Sequence, residues 1–242
     1  MKQAFVRAAW GRCIDDKGIR NGKLYKDIIN LRKCIYQHPF VVYVYGTENF
    51  EYLKSFGMDC KLVSPEPFLW DMSRMLFRHK LDVYKRAMED YDEVVFLDWD
   101  CRPTAPMPVD FWDIMRKKES FQANLIQYKN CKCYWRKIDW RIICNGGFVY
   151  MRDKSLPDIF IKYWEEWLKI IEEKGHGWGE QNPSLIFDDE PAMTKYVDEF
   201  WGEWKGIDAY WDAFEPETCS PRRKSVYPRA RLDTKKACFQ HW

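Results

Sequence analysis

The sequence predicts an α/β fold in one domain, a mostly parallel central sheet flanked by helices. Three observations predict it. Short apolar runs alternate with amphipathic stretches through the first hundred residues. The runs lack in–out alternation, so as strands they are buried on both faces, with the intervening helices as cover. No linker, internal repeat or low-complexity tract divides the 242 residues, a length suited to one sizeable core.

Each element follows from local pattern. Ala4 to Trp10 (AFVRAAW) reads as a strand closed by Gly11. Leu24 to Gln37 carries Leu24, Ile28, Leu31 and Ile35 on one helical face. Phe40 to Tyr45 (FVVYVY) is a β-rich run ended by Gly46. Asn49 to Phe56 reads as a short helix stopped by Gly57, and Lys61 to Ser64 as a weak third strand. Met72 to Met88 is a longer helix, leading into the strand Glu93 to Leu97 (EVVFL). Pro103, Pro106 and Pro108 mark a loop. Phe121 to Gln127 and Ile142 to Met151 read as strands, Pro157 to Lys174 and Pro191 to Trp201 as helices. Gly175 to Gly179 is a loop, and the chain from Pro216 onward is irregular. The change of pattern divides the single domain into two halves, residues 1–101 and 102–242.

Composition excludes several classes. With 46% hydrophobic and 31% charged residues the chain is neither disordered nor collagen-like. Lys plus Arg number 39 and Asp plus Glu 37, a net charge of +2 that gives no strong field for nucleic acid or membrane. No run approaches a membrane span, and the start lacks a secretory apolar stretch. Nine scattered cysteines without an N-x-[ST] sequon fit a reducing, cytoplasmic setting. Cys131, Cys133 and Cys144 are poorly spaced for zinc. The 13 tryptophans exceed what a core alone needs and point to stacking surfaces, with a Trp-rich core as the plainer account. No G-x-G-x-x-G follows the first strand, and GIRNGK at Gly18 to Lys23 is one residue short of a phosphate loop.

The most informative segment is VVFLDWDCRP, Val94 to Pro103. Ligands of α/β sheets sit at the carboxyl ends of strands. Asp98 and Asp100 follow a buried strand, two residues apart, so both carboxylates point to one side. Paired carboxylates repel unless a cation joins them, and hard oxygen ligands suit Mg²⁺ or Mn²⁺. A solvated D-x-D turn is the alternative.

Here the chain resembles the metal-dependent, nucleotide-sugar glycosyltransferases of the Rossmann-like GT-A fold, glycogenin-like and related families. Four landmarks over roughly residues 3 to 242 carry the resemblance: AAWGR at the first strand's end, VVFLDWD as a D-x-D motif, CNGGFVYMR from Cys144 to Arg152, and Glu180-Gln181 followed by a C-terminal His. The resemblance implies that Asp100 binds the metal directly, that Asp98 meets the donor ribose or reaches the metal through water, and that His241 is the third ligand. It implies that Trp10, Gly11 and Arg12 hold the base. It implies that Arg78 and Lys80, with Arg74, approach the donor phosphates, and that Gly146 and Gly147 receive the donor sugar. Asn145, Glu180 and Gln181 are the implied catalytic residues, Glu180 as general base or as an orienter of sugar hydroxyls, with His176 and Trp178 at the rim. Relatives continue past the final His with a Gly and a Lys, whereas this sequence stops at Trp242.

The expected activity is transfer of a sugar from a nucleoside-diphosphate sugar, with UDP-sugar favoured, to a hydroxyl acceptor such as a glycan. Mn²⁺ or Mg²⁺ would be the cofactor, and retention the favoured outcome. Ser220 to Lys236 carries seven Lys or Arg and one Asp, so modified DNA is a second acceptor class. Trp135, Trp140, Trp201, Trp204 and Trp211 are candidate stacking residues for sugars or bases. A sugar nucleotidyltransferase and a non-catalytic nucleotide-sugar-binding module are the competing classes.

Overall fold

The computed structural model describes residues 1–10, 31–33, 35–66, 76–98, 101–103, 107–117, 119–129, 140–174, 189–200, 212–214, 223–225 and 239–241. The strands are β1 (Gln3–Ala9), β2 (Phe40–Tyr45), β3 (Asp59–Ser64), β4 (Glu93–Leu97), β5 (Cys101–Pro103), β6 (Phe121–Lys129), β7 (Trp140–Met151), β8 (Asp212–Phe214), β9 (Arg223–Ser225) and β10 (Phe239–His241). The helices are α1 (Thr47–Ser55), α2 (Leu76–Asp90), α3 (Phe111–Arg116), α4 (Leu156–Lys174) and α5 (Glu190–Phe200).

Seven strands form one mixed sheet in the order β3-β2-β1-β4-β7-β6-β9, and β5-β10-β8 form a small second sheet. The chain is therefore α/β. The parallel half is built from residues 3–97: β1 pairs in parallel with β2 and β4, and β2 with β3. Beyond β4 every neighbour is antiparallel, because β4 pairs with β7, β7 with β6 and β6 with β9. β6 and β7 follow one another in sequence with only residues 130–139 between them, shorter than the dozen or more residues that a crossover to a parallel strand needs.

Both faces of the parallel half are covered, as its unalternated strands require. Ala4, Val6 and Ala8 of β1 join Tyr84 and Ala87 of α2 and Phe160 and Trp164 of α4 on one face. Phe5 and Ala9 join Leu31, Ile35, Phe111 and Trp112 on the other. Trp112, Trp164 and Trp167 are buried, so among the described residues these tryptophans build core rather than an exposed stacking surface. Gly46 and Gly57, at φ 94° and 67°, end β2 and α1 in the left-handed region that glycine adopts without steric cost. No helix of the described residues is long and apolar enough to cross a membrane.

Several expectations are corrected. Cys101–Pro103, expected in a loop, is a strand, and the region after Pro216, expected to be irregular, contributes β9 and β10. Three-residue strands are too short to carry a periodic signal, and long-range pairing alone defines them. Helix α3 went unpredicted for the same reason of length.

Candidate active site

Strands β1 to β4 run in parallel, so the residues that follow them lie along one edge of the sheet. Asp98 leaves β4 on that edge, and its amide donates to the Gly147 carbonyl at 2.8 Å. The N-G-G segment reaches this point through a break in register. Ala123 of β6 faces Val149, while the next residue, Asn124, faces Asn145. Gly146, Gly147 and Phe148 are thus looped out between partners of consecutive β6 residues, while Phe148 keeps its register with Leu97 of β4.

The looped-out glycines make room for a buried charge. Lys80 occupies the apolar stripe of α2 with Tyr84, Ala87 and Met88, at positions i, i+4, i+7 and i+8, where a core side chain is expected. Its side chain is 2% exposed. Lys80 Nζ donates to Asp98 Oδ2 at 2.9 Å and to Asp189 Oδ1 at 3.3 Å, and stands 3.2 Å from Asp189 Oδ2. The ammonium also lies 5.3 Å from the Phe96 ring centroid. A Cβ on Gly146 would sit 2.5 Å from Lys80 Nζ and 2.9 Å from Asp189 Oδ2. Only a residue without a side chain lets this ion pair lie against the backbone.

Asp189 opens α5, where its carbonyl accepts the amides of Ala192 and Met193 and Pro191 fits the first turn. The Tyr84 hydroxyl donates to Asp189 Oδ2 at 3.0 Å. Burial, then the negative charge of Asp189, pushes the Tyr84 phenol far above its ordinary value, so it acts as a permanent donor. The next residue, Glu190, accepts the Gly146 amide on Oε1 at 3.4 Å. One turn on, the Thr194 hydroxyl donates to the Glu190 carbonyl at 2.7 Å and accepts the Cys144 amide at 3.0 Å. These bonds dock the start of α5 onto the N-G-G segment. The Cys144 thiol is pushed well up, by burial first and then by Glu190, so it remains a protonated core residue.

The distant end of the chain returns to this edge. β10 pairs antiparallel with β5, and His241 is the register partner of Cys101, the residue after Asp100. Asp100 itself lies outside the described residues. Among the described residues no three His, Cys, Asp or Glu side chains form a metal-binding group. The position between Asp98 and Asp189 is taken by Lys80. The donor set expected for a divalent ion, two carboxylates and one imidazole, suits Mn²⁺ chemically, and the β5–β10 register brings the backbones of 101 and 241 together.

Of the residues expected from sequence, Lys80, Asp98 and Gly146 meet at one point, with the Gly147 carbonyl on Asp98. Trp10 leaves β1 on the same edge, partly buried against the core cluster. Asn145 is in register with Asn124. Arg78 does not join Lys80: it pairs with Asp82 at 3.1 Å and, across to α4, with Glu165 at 2.9 Å. Gly11, Arg12, Arg74, Asp100, His176, Trp178, Glu180 and Gln181 lie outside the described residues, as do Cys131 and Cys133. Tyr84, Asp189 and Glu190 are the site residues that sequence reasoning missed. The signal for Asp189 and Glu190 was the run IFDDEPA, acidic residues just before a helix-starting proline, which the helix dipole alone explains equally well; Tyr84 carried none beyond its place on the apolar stripe of α2.

No protein-family model matches the chain, and a search of curated proteins finds no significant match.

Proposed function

We propose that this chain is a metal-dependent glycosyltransferase of the GT-A type, moving a sugar from a nucleoside-diphosphate sugar to a hydroxyl acceptor. The observation that carries the reading is the convergence of Asp98, Lys80, Asp189 and Gly146 at the carboxyl end of β4. Three chain segments bring ionised groups together there against the glycine backbone of a fourth, an arrangement costly to stability and typical of a functional site. The return of β10 to the strand beside the D-x-D segment adds support.

In this reading the C–O bond from the anomeric carbon to the diphosphate breaks, a new one forms to the acceptor oxygen, and the acceptor's proton passes to the departing diphosphate or to a base, the role expected of Glu180. Asp98 and Asp100, with His241, would hold Mn²⁺ or Mg²⁺, which when bound supplies Lewis-acid stabilisation of the departing diphosphate, worth several kcal/mol. Asp98, 18% exposed, is the member of the buried cluster that a ligand reaches. Asp189, with no exposed surface and oxygens bonded to Lys80 and Tyr84, is a positioning group. It fixes the ammonium that sets the charge beside Asp98. The space beside Gly146 is filled by Lys80 and Asp189, and the Gly147 carbonyl holds the Asp98 amide, so the two glycines serve to seat the charged cluster.

The test is incubation with a panel of nucleotide sugars and Mn²⁺. Metal-stimulated release of nucleoside diphosphate that is lost in Asp100→Ala and reduced in His241→Ala, with circular dichroism unchanged, is the expected result. Unchanged release in Asp100→Ala removes the assignment. Pyrophosphate formed from sugar phosphate and nucleoside triphosphate identifies a nucleotidyltransferase instead.

A further inference from the structure

The two carboxylates on Lys80 differ in what they can do next. Asp189 has no exposed surface and is also held by the Tyr84 hydroxyl at 3.0 Å, whereas Asp98 is 18% exposed at the end of its strand. Lys80 Nζ stands 2.9 Å from Asp98, a charge-assisted hydrogen bond of ordinary length. The ammonium holds Oδ2 of Asp98 and neutralises its charge, so a divalent ion at Asp98 competes with Lys80 for that carboxylate. The ammonium, at 2% exposure, lies against Gly146 and is also held by Asp189 at 3.2 Å.

We infer that Lys80 is a built-in counter-cation for Asp98, which a divalent cation has to displace. Resting on the reading of this edge as a divalent-cation site, the inference names how that site is regulated. Without metal, Lys80 neutralises Asp98 and holds the rim together. When a divalent ion arrives, Asp98 turns from Lys80 towards it, and Lys80 stays on Asp189 and Tyr84. The Lys80–Asp98 bond therefore subtracts from metal affinity and keeps the site closed to weakly held ions.

The experiment measures binding of Mn²⁺ alone, with no nucleotide or sugar, by the electron paramagnetic resonance signal of the free aquo ion. Lys80→Met is expected to bind Mn²⁺ about tenfold or more tightly than the wild type, since a unit charge at a few ångströms is worth more than that even when screened. That variant strands Asp189, so the double variant Lys80→Met/Asp189→Asn is measured beside it. It keeps the wild-type net charge, and a rise in its affinity isolates release of Asp98 from any change in the overall field. A third measurement uses the wild type: the ¹⁵N ammonium resonance of Lys80 is expected to shift on adding Mg²⁺ and to stay in place in Asp98→Asn. Equal or weaker Mn²⁺ binding by the folded double variant, or a Lys80 resonance indifferent to Mg²⁺, overturns the inference and leaves the metal reading standing. Absence of Mn²⁺ binding in the wild type overturns both.

Discussion

Gly146→Ala tests the site's geometry with one methyl group. The added Cβ falls 2.5 Å from Lys80 Nζ and 2.9 Å from Asp189 Oδ2, while ordinary contact begins at 3.4 Å. To restore contact, the ammonium withdraws by about 0.9 Å and the carboxylate by about 0.5 Å. Lys80 is otherwise flexible, but here both carboxylates and the Phe96 ring confine it. Overpacking of a core site costs about 1–3 kcal/mol, and loosening a buried ion pair adds to it, so a loss of about 2–4 kcal/mol is expected. For a chain of this size that corresponds to a fall in melting temperature on the order of 5–15 °C. Scanning calorimetry and urea titration read it directly. The double variant Gly146→Ala/Lys80→Met should cost less than the sum of its parts, because the methionine has no ammonium to displace. A Gly146→Ala protein as stable as the wild type, within about 0.5 kcal/mol, would refute the placement of Lys80 against the glycine backbone.

Alkaline pH should unfold the protein through its buried tyrosines. Burial, and then the nearby acid Asp90, Asp82 or Glu93, lifts Tyr43, Tyr45 and Tyr150 well above the ordinary phenol value, and burial with Glu199 pushes Tyr163 up to about 12. Their folded values exceed the unfolded value, so above about pH 10 the unfolded chain binds fewer protons, and each such tyrosine lowers stability by up to about 1.4 kcal/mol per pH unit. Phenolate absorbance should show these tyrosines ionising only as circular dichroism is lost; free titration of all phenols in a folded protein would contradict the burial. At the opposite end of β4, Glu93 is 1% exposed and accepts from Arg116 Nε at 2.9 Å, Gln3 at 2.8 Å and Tyr150 at 3.3 Å. Arg116→Met should destabilise by about 2–3 kcal/mol, below the usual cost of a stranded buried charge because Arg116 is itself 30% exposed. Adding Glu93→Gln should recover part of that loss, and an unchanged urea midpoint in Arg116→Met would remove the pair from the stability account.

Much of the parallel half was legible residue by residue. Phe40 to Tyr45 and Glu93 to Leu97 are strands over the bounds expected, since a strand buried on both faces is predominantly apolar, with Glu93 the one charged exception in these two. Helix α2 was legible in its body, though not in the meaning of Lys80, a lysine on a buried stripe that pattern alone assigns to the solvent. The two side-chain-free residues of the N-G-G segment were visible in the sequence, but neither the register break beside them nor the approach of Lys80 to Gly146 was.

Tertiary packing decided the partners. Lys80 meets Asp98 across 18 positions and Asp189 across 109, and no local pattern encodes a meeting over such a distance. The same holds for β10, whose three residues form a strand only because β5 and β8 supply the hydrogen bonds. Among the described residues of the first hundred, the amino-acid order alone indicated the strands and the body of α2 and which strand end carries acids, because burial of a repeating face is a property of neighbours; the helix expected over Leu24 to Gln37 is described only at 31–33, and 35–37 form a turn. Which distant charges meet at that strand end was settled by the fold, because an ion pair away from water persists only where several segments together close around it.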